Sequence, residues 1–427
     1  MARMFASLSV PNYRRYFSGV LASNIGSWMS RTAASWLVLV ELTPGDMSAI
    51  GLLTGLMFLP ALLLSPYAGT LADRIPKRRL MIGAQCVMLV DSALLGVLII
   101  TGNIQLWQVF VITFIDGCAG AVDAPARQAF VSELVPKDLL SNAIGLNSAN
   151  FNAARLFGPG IAGLLIALIG TGPVFLVNTS TFVVLLWATI SLDASALLVS
   201  DAPPRGKGGL KDALRYVRRR PDLMLLLFVG FMMGNFAFNF AISNPSMAKI
   251  EFGKGPPEFG MLGSLMGVGA LGAALLSAAR KRPRLRYILV AMLGFALFQA
   301  ASGAAPEFWM FAALQVPIGL CAITAVVTAN TLLQTSVAGA VRGRVMALWM
   351  VFLLGGAPVI SPLVGWVGTA FGPRATVYFG AVAIALTFAG VLGYLMAHDR
   401  ARLRLQWSAT RPIVVYYAPG DAQVDRA

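Results

Sequence analysis

Gly69-Thr70-Leu71-Ala72-Asp73-Arg74-Ile75-Pro76-Lys77-Arg78-Arg79 is a charged hairpin between two apolar stretches. Residues 48–72 and 79–101 on either side are each long enough to cross a bilayer, which takes about 20 apolar residues. The link between them has room only for a tight turn at the membrane surface. It carries the cations Arg74, Lys77, Arg78 and Arg79 and the anion Asp73. A stop-transfer turn accounts for the cations, which set topology. It does not account for Gly69 and Asp73 on one helix face: a position without a side chain, where another helix can approach, and a carboxylate able to accept from a neighbouring helix end or an arginine.

The rest of the chain repeats this plan. It is 57% hydrophobic and 12% charged with a mean hydropathy of +0.75, which places it among integral membrane proteins rather than soluble domains. Cys86, Cys118 and Cys321 lie within apolar segments and form neither a disulfide framework nor a metal-ligand spacing. The single histidine, His398, leaves little material for a metal or nucleophile site, so no metal and no cofactor are expected. No cleavable leader is expected, because the first apolar stretch is long and lacks a small-residue cleavage site.

Apolar segments at about 15–41, 48–72, 79–101, 104–128, 141–169 and 173–194 are followed by a basic stretch at 195–221. A second set runs at about 222–248, 258–280, 285–304, 306–336, 344–371 and 373–397, before a polar tail. The expectation is an all-α membrane protein with twelve transmembrane helices in two pseudo-symmetric six-helix bundles. The bundles occupy 1–194 and 222–397, joined by a cytoplasmic linker at 195–221 and followed by a cytoplasmic tail at 398–427.

Charge fixes the orientation. With the N-terminus inside, Lys249, Lys254 and Arg374 are the outer cations, and Arg31 and Arg155 fall within spans. Every other Lys and Arg of the 33 lands on the cytoplasmic side, so both termini are expected there. A net charge of +15 therefore faces the anionic inner leaflet, and nucleic acid is not expected as a partner. In the linker, Leu210, Leu214 and Val217 fall at helical spacing among basic residues after the flexible Gly206-Lys207-Gly208-Gly209. That spacing predicts an amphipathic helix on the membrane surface, a solvated basic linker being the alternative for the part before Gly209. Gly117 and Gly319, like Gly163 and Gly365, stand 202 positions apart, as a duplication of six-helix units would place them.

Ala154-Arg155-Leu156-Phe157-Gly158-Pro159-Gly160-Ile161-Ala162-Gly163 is the second distinctive string. Small residues at 154, 158, 162 and 163 make one groove for a partner helix, and Pro159 kinks the span. The charged hairpin resembles the G-x-L-A-D-R-x-G-R-K signature of the major facilitator superfamily, with Pro76 in place of its second glycine. The second string resembles the fifth-helix motif G-x-x-x-G-P-x-x-G-G of that superfamily's antiporters, with Ala154 and Ala162 replacing two glycines. Leu8-Ser9-Val10-Pro11-Asn12-Tyr13-Arg14-Arg15-Tyr16-Phe17, Asp123-Ala124-Pro125-Ala126-Arg127 and Arg342-Gly343-Arg344-Val345-Met346 extend the resemblance to the branch containing the enterobactin exporter and related transmembrane secretion effectors. The resemblance covers roughly residues 8–397. It implies a gating motif at Gly69, Asp73, Arg74, Arg78 and Arg127, and a helix-five motif at Arg155, Gly158, Pro159 and Gly163 that accompanies export.

Ionisable groups within spans are costly and mark either packing or function. Arg31, Asp91, Asp116 and Arg155 are such groups, and Asp116, Gly120, Asp123 and Arg127 share one face of the fourth span. Asp123 and Arg127 form an i,i+4 pair; Asp116 and Arg155 lie at similar depth and are candidates to pair. The resemblance puts the first, fourth, seventh and tenth spans around a cavity, which favours Arg31 and Asp116 as functional; Asp91 is expected to serve helix packing. Thr113 stands where the family often carries a cavity arginine. Asp116 and Asp123 are the candidates for proton coupling. Arg31, Asn235, Phe238, Asn239, Gln315 and Thr324 are the candidates for the substrate cavity, although amides within spans also bond helix to helix.

No nucleotide loop, metal cluster or nucleophile–base pair appears, so an enzyme is not expected. The expectation is a secondary active exporter of a small amphipathic molecule, siderophore-like or drug-like, driven by proton antiport, multi-pass in the inner (cytoplasmic) membrane and monomeric. The alternatives are a facilitative or proton-coupled importer of a small solute, and a non-transporting membrane scaffold or sensor.

Overall fold

The computed structural model describes residues 5–198, 210–280 and 283–398, together with 402–404 and 414–416; for 65–74, 210–212, 278, 340 and everything from 398 onward the description is of the backbone alone. A 3₁₀ turn at Ala6–Ser9 leads into α1 (Pro11–Trp36), which continues as a π-turn over Leu37–Leu42. Then follow α2 (Met47–Arg74), α3 (Lys77–Ile100), α4 (Leu106–Leu134), α5 (Leu140–Ile169) and α6 (Thr171–Ile190). After the linker come α7 (Leu210–Arg218), α8 (Pro221–Met232), α9 (Phe240–Ser246), α10 (Pro256–Ala279), α11 (Leu285–Gly303), α12 (Phe308–Ser336), α13 (Gly339–Leu354), α14 (Ala357–Phe371) and α15 (Pro373–His398). In the tail, Arg402–Arg404 pairs antiparallel with Val414–Tyr416.

Among the described residues, 11 segments are long and apolar enough to cross a membrane. The first expected span is not one of them. α1 has the length, but Ser18, Ser23, Asn24, Ser27, Ser30, Arg31 and Thr32 dilute its hydrophobicity. Two expected single spans are each built from two helices. The seventh is interrupted between a π-turn at Met233–Ala237 and α9, and a second π-turn at Met247–Glu251 ends it. The eleventh is interrupted at Gly355-Gly356, between α13 and α14.

Three apolar cores give the molecule its shape. One lies at the end remote from α7 and is shared by both halves, with Trp36, Met47 and Phe175 packed in the same cluster as Ile242, Phe311 and Val364. At the α7 end the cores are separate. Tyr13, Tyr16, Met81 and Phe130 belong to one, and Leu223, Phe295, Trp349 and Leu395 to the other. The halves therefore meet at the far end and have their own interiors at the linker end.

Two helix crossings carry the far-end contact, α2 with α14 and α5 with α10. Both are built on small residues. A Cβ at Gly51 would stand 2.5 Å from the Ser361 carbonyl oxygen, and one at Gly267 would stand 2.8 Å from Leu156 Cα. A polar clasp closes the first crossing: the Ser48 amide donates to Asp46 Oδ1 (2.9 Å) and Thr369 Oγ1 donates to the same oxygen (3.1 Å).

At the linker end α1 to α6 are tied to one another. Arg78 donates from Nε to Thr189 O (3.1 Å) and from Nη2 to Ile190 O (2.7 Å), closing off the last carbonyls of α6. Lys77 is paired with Glu133. Asn12 and Asp193 exchange side chain–backbone hydrogen bonds (3.0 and 3.1 Å). The Ser195 hydroxyl and amide hold the Asp193 carboxyl below the usual carboxylate range. α7 packs Ala213 and Val217 against α8 and α13 while Leu214 stays exposed, so the amphipathic helix lies on the second half of the protein. Gly206-Lys207-Gly208-Gly209 lies outside the described residues.

Candidate functional site

A cavity of about 340 Å³ lies between the halves. Each wall follows from helical spacing. Trp28, Arg31 and Ser35 come from one face of α1, Ile112, Thr113 and Asp116 from one face of α4, and Arg155 and Pro159 from α5. α3 adds Asp91 and Ser92. From the other half, Phe238 comes from the interruption between α8 and α9, Phe240 and Asn244 from α9, and Phe259, Gly263 and Gly267 from α10. α12 contributes Ile323 alone.

All four ionisable groups singled out within spans reach this cavity, including Asp91, which was expected between helices. Arg31 is accessible within it, stacks its guanidinium over the Trp28 ring at 5.5 Å and lies within electrostatic reach of Asp116. Among the described residues no ion pair joins Arg31 to Asp116, or Asp116 to Arg155. Arg155 instead donates from Nη2 to Asn152 Oδ1 at 2.9 Å, three residues back on its own helix, and its buried Nε has no acceptor. Asp91 is 7% exposed, and its Oδ2 has no donor.

Phe238 lines the cavity; Asn235 and Asn239 do not. The two amides repair the interrupted helix. Asn239 Nδ2 donates to Asn235 O (2.8 Å) and Phe236 O (3.2 Å), carbonyls left without helical partners where Phe238 and Asn239 depart from helical geometry. Asn235 Nδ2 donates to Phe231 O (2.8 Å) and across to Phe352 O (2.9 Å) on α13. Gln315 and Thr324 are buried in α12 and also stand outside the lining, Gln315 reaching only the Phe311 carbonyl at 3.5 Å. The aromatic wall is thus broader than the sequence indicates, since Phe240 and Phe259 join it from the start of α9 and from α10.

Asp123 lies apart from the cavity lining. Its Oδ2 receives Arg127 Nε (2.9 Å) and Nη2 (2.6 Å), and Gln85 Nε2 approaches Oδ1 at 3.4 Å. Arg127 Nη1 extends to Asn24 Oδ1 (3.5 Å), and Asn24 Nδ2 donates to Asn150 Oδ1 (2.9 Å), so this buried network joins α1, α3, α4 and α5. Of the hairpin residues, Arg78 is the α6 cap already described. Gly69, Asp73 and Arg74 fall in the last turns of α2, and their side chains lie outside the described residues.

The helix-five residues divide between two interfaces. A Cβ at Gly158 would stand 2.5 Å from Trp28 Cβ on α1, within the first half. Gly163 and Pro159 face α10 across the halves, Gly163 against the Pro256 carbonyl and Pro159 against Gly260 and Gly263.

The family model described as transmembrane secretion effector matches residues 2–409, almost the whole chain. The chain belongs to this family of major facilitator transporters. It is 25% identical over 400 residues to an uncharacterised MFS-type transporter of Bacillus subtilis, covering 89% of this chain and 93% of that one. It is 22% identical over 351 residues to macrolide efflux protein A of Streptococcus pyogenes, covering 79% and 85%. It is 23% identical over 262 residues to the staphyloferrin A transporter of Staphylococcus aureus, covering 61% and 65%. In fold it is similar to a bacterial homologue of the lysosomal transporter Spinster, with a TM-score of 0.72 at 15% identity over 93% of this chain and 99% of that one. The protein is accordingly a multi-pass membrane transporter and not an enzyme.

Proposed function

We propose that this transporter is a secondary active exporter of the cytoplasmic membrane, moving a small amphipathic molecule outward against proton entry by alternating access. The working unit is a monomer of two six-helix halves, 1–194 and 222–397, with α1 as the twelfth crossing and with the linker, the tail and both termini in the cytoplasm. Its polar residues are tolerable in a span because they turn to the cavity and to neighbouring helices rather than to lipid. In that orientation the far end is extracytoplasmic, and the separate cores at the linker end correspond to an inward-facing state.

The observation that carries the reading is a cavity between the halves that combines aromatic walls with ionisable groups, beneath a far end closed by two glycine-rich crossings. Aromatic and apolar walls suit an amphipathic solute, and a few polar groups orient it. A carboxylate reachable from a cavity supplies what proton exchange requires, and Asp116, balanced by Arg31, is the proposed carrier. The relative named for macrolide efflux supports the outward direction.

The test uses everted membrane vesicles holding an acid-inside pH gradient. Fluorescent amphipathic compounds should accumulate inside and discharge the gradient as they do so. Accumulation that leaves the gradient untouched would remove proton antiport, and uptake only against the opposite gradient would turn the reading into import.

A further inference from the structure

The cavity is lined by two guanidinium and two carboxyl side chains, and among the described residues no ion pair joins any of the four. Arg31 and Asp116 lie within electrostatic reach and offset each other. Asp91 and Arg155 have no such partner. The ionisable neighbour of Asp91 is Asp116, a second anion, and its nine-tenths-buried carboxylate has an oxygen without a donor. Arg155 has one hydrogen bond, to the neutral Asn152, and a buried Nε without an acceptor. They come from helices with different main neighbours, α3 on α4 and α6 and α5 on α1 and α10, and no ion pair joins Asp91 to Arg155 among the described residues. Phe238, Phe240, Phe259 and Trp28 line the same cavity.

A buried charge without a partner is unfavourable, so each of these two sites favours a ligand group of opposite sign. A cationic cargo would satisfy Asp91 and leave Arg155 unpaired; an anionic one would do the reverse. The geometry points to a zwitterionic amphipathic cargo, its ammonium group on Asp91, its anionic group on Arg155 and its aromatic or apolar body against the phenylalanine wall. This rests on the reading of the cavity as the cargo site. It also separates the two pairs: Asp91 and Arg155 select the cargo, and Arg31 and Asp116 remain for coupling.

Three probes with one fluorescent body test this on the purified full chain in lipid nanodiscs. Nα-dansyl-lysine carries a carboxylate and an ammonium several bonds apart, its methyl ester keeps only the cation, and its Nε-acetyl derivative keeps only the anion. The zwitterion should bind about tenfold more tightly than either derivative, because each lacks one charge-assisted contact. Asp91→Asn should weaken the zwitterion while leaving the Nε-acetyl form unchanged, and Arg155→Gln should weaken it while leaving the methyl ester unchanged. The wild-type comparison stands even if a variant fails to fold. Equal binding of the three probes, binding of none, or an equal loss for all three in both variants overturns the inference. Charge-selective binding without proton-driven flux would sustain it and remove export; proton-driven flux of all three alike would sustain export and overturn it.

Discussion

Gly51 of α2 and Gly365 of α14 meet back to back: the Cβ that Gly51 lacks would stand 3.1 Å from Gly365 Cα, and that of Gly365 would stand 3.0 Å from Gly51 Cα. Gly163 of α5 and Gly260 of α10 repeat the relationship at 3.1 and 3.0 Å. Such spacing lets two backbones touch with nothing between them. Side-chain bulk at any of the four positions therefore acts directly on the distance between the halves.

Gly163→Val should open the far end. A branched side chain there meets the Pro256 carbonyl and the Gly260 backbone, and overpacking of this kind costs about 1–3 kcal/mol. Spin labels on cysteines replacing Ser48 and Thr369, in a background without the native cysteines, should report a longer distance, with flux reduced at normal protein abundance. Gly158→Val should behave differently, because it strikes Trp28 within one half. It should lower the thermal unfolding temperature. A short label distance and normal flux in Gly163→Val would show that the crossing tolerates bulk.

Arg127→Gln should destabilise the first half. It leaves the buried Asp123 carboxylate with the Gln85 amide as its remaining partner, and removing one member of a buried ion pair costs about 3–5 kcal/mol. Adding Asp123→Asn should restore much of the loss, since no lone charge then remains. Thermal unfolding of the purified single and double variants measures this. A double variant no more stable than Arg127→Gln would mean that the network does not act as a pair.

The hairpin arginine Arg78 should prove to be a helix cap. Arg78→Ala frees the Thr189 and Ile190 carbonyls at the end of α6, a loss of about 1 kcal/mol for bonds partly open to solvent. Amide exchange near the end of α6 should rise in Arg78→Ala and stay low in Arg78→Lys if one bond suffices. Unchanged exchange in both, with flux lost, would instead assign Arg78 to gating.

Hydropathy made the long helices legible because lipid leaves few alternatives to a helix of that length. Facing was less legible. Asp91 and Asp123 both read as intramembrane carboxylates, yet one reaches the cavity and the other is enclosed by Arg127 and Gln85. Depth follows from position in a span, whereas facing depends on which neighbour each helix packs against. The amides Asn235 and Asn239 were visible, but their task was hidden by the break at Phe238, which lies between Gly234 and Pro245 and coincides with neither. The second break falls at Gly355-Gly356, within a stretch that hydropathy reads as one span over 344–371. The low hydropathy of α1 also has a local cause, since Trp28, Arg31 and Ser35 turn to the cavity while Asn24 joins the Arg127 network.

Asp116→Asn gives the sharpest test of coupling. A proton carrier must change its proton occupancy during the cycle and be reachable from the cavity, and Asp116 lines that cavity with Arg31 as its counter-charge. The amide keeps the shape of the side chain and removes both its charge and its titration. Uphill, gradient-driven flux should fall by at least about 100-fold, in the range of losing a positioned acid–base group. Cargo binding should persist within a few-fold, because the cargo contacts proposed above belong to Asp91 and Arg155. Downhill exchange of cargo between equal pH compartments should persist as well. Purified protein in liposomes allows all three measurements on one preparation. Wild-type uphill flux in Asp116→Asn would exclude Asp116 as the carrier. Asp91, the other carboxylate at the cavity wall, would then be the residue to replace.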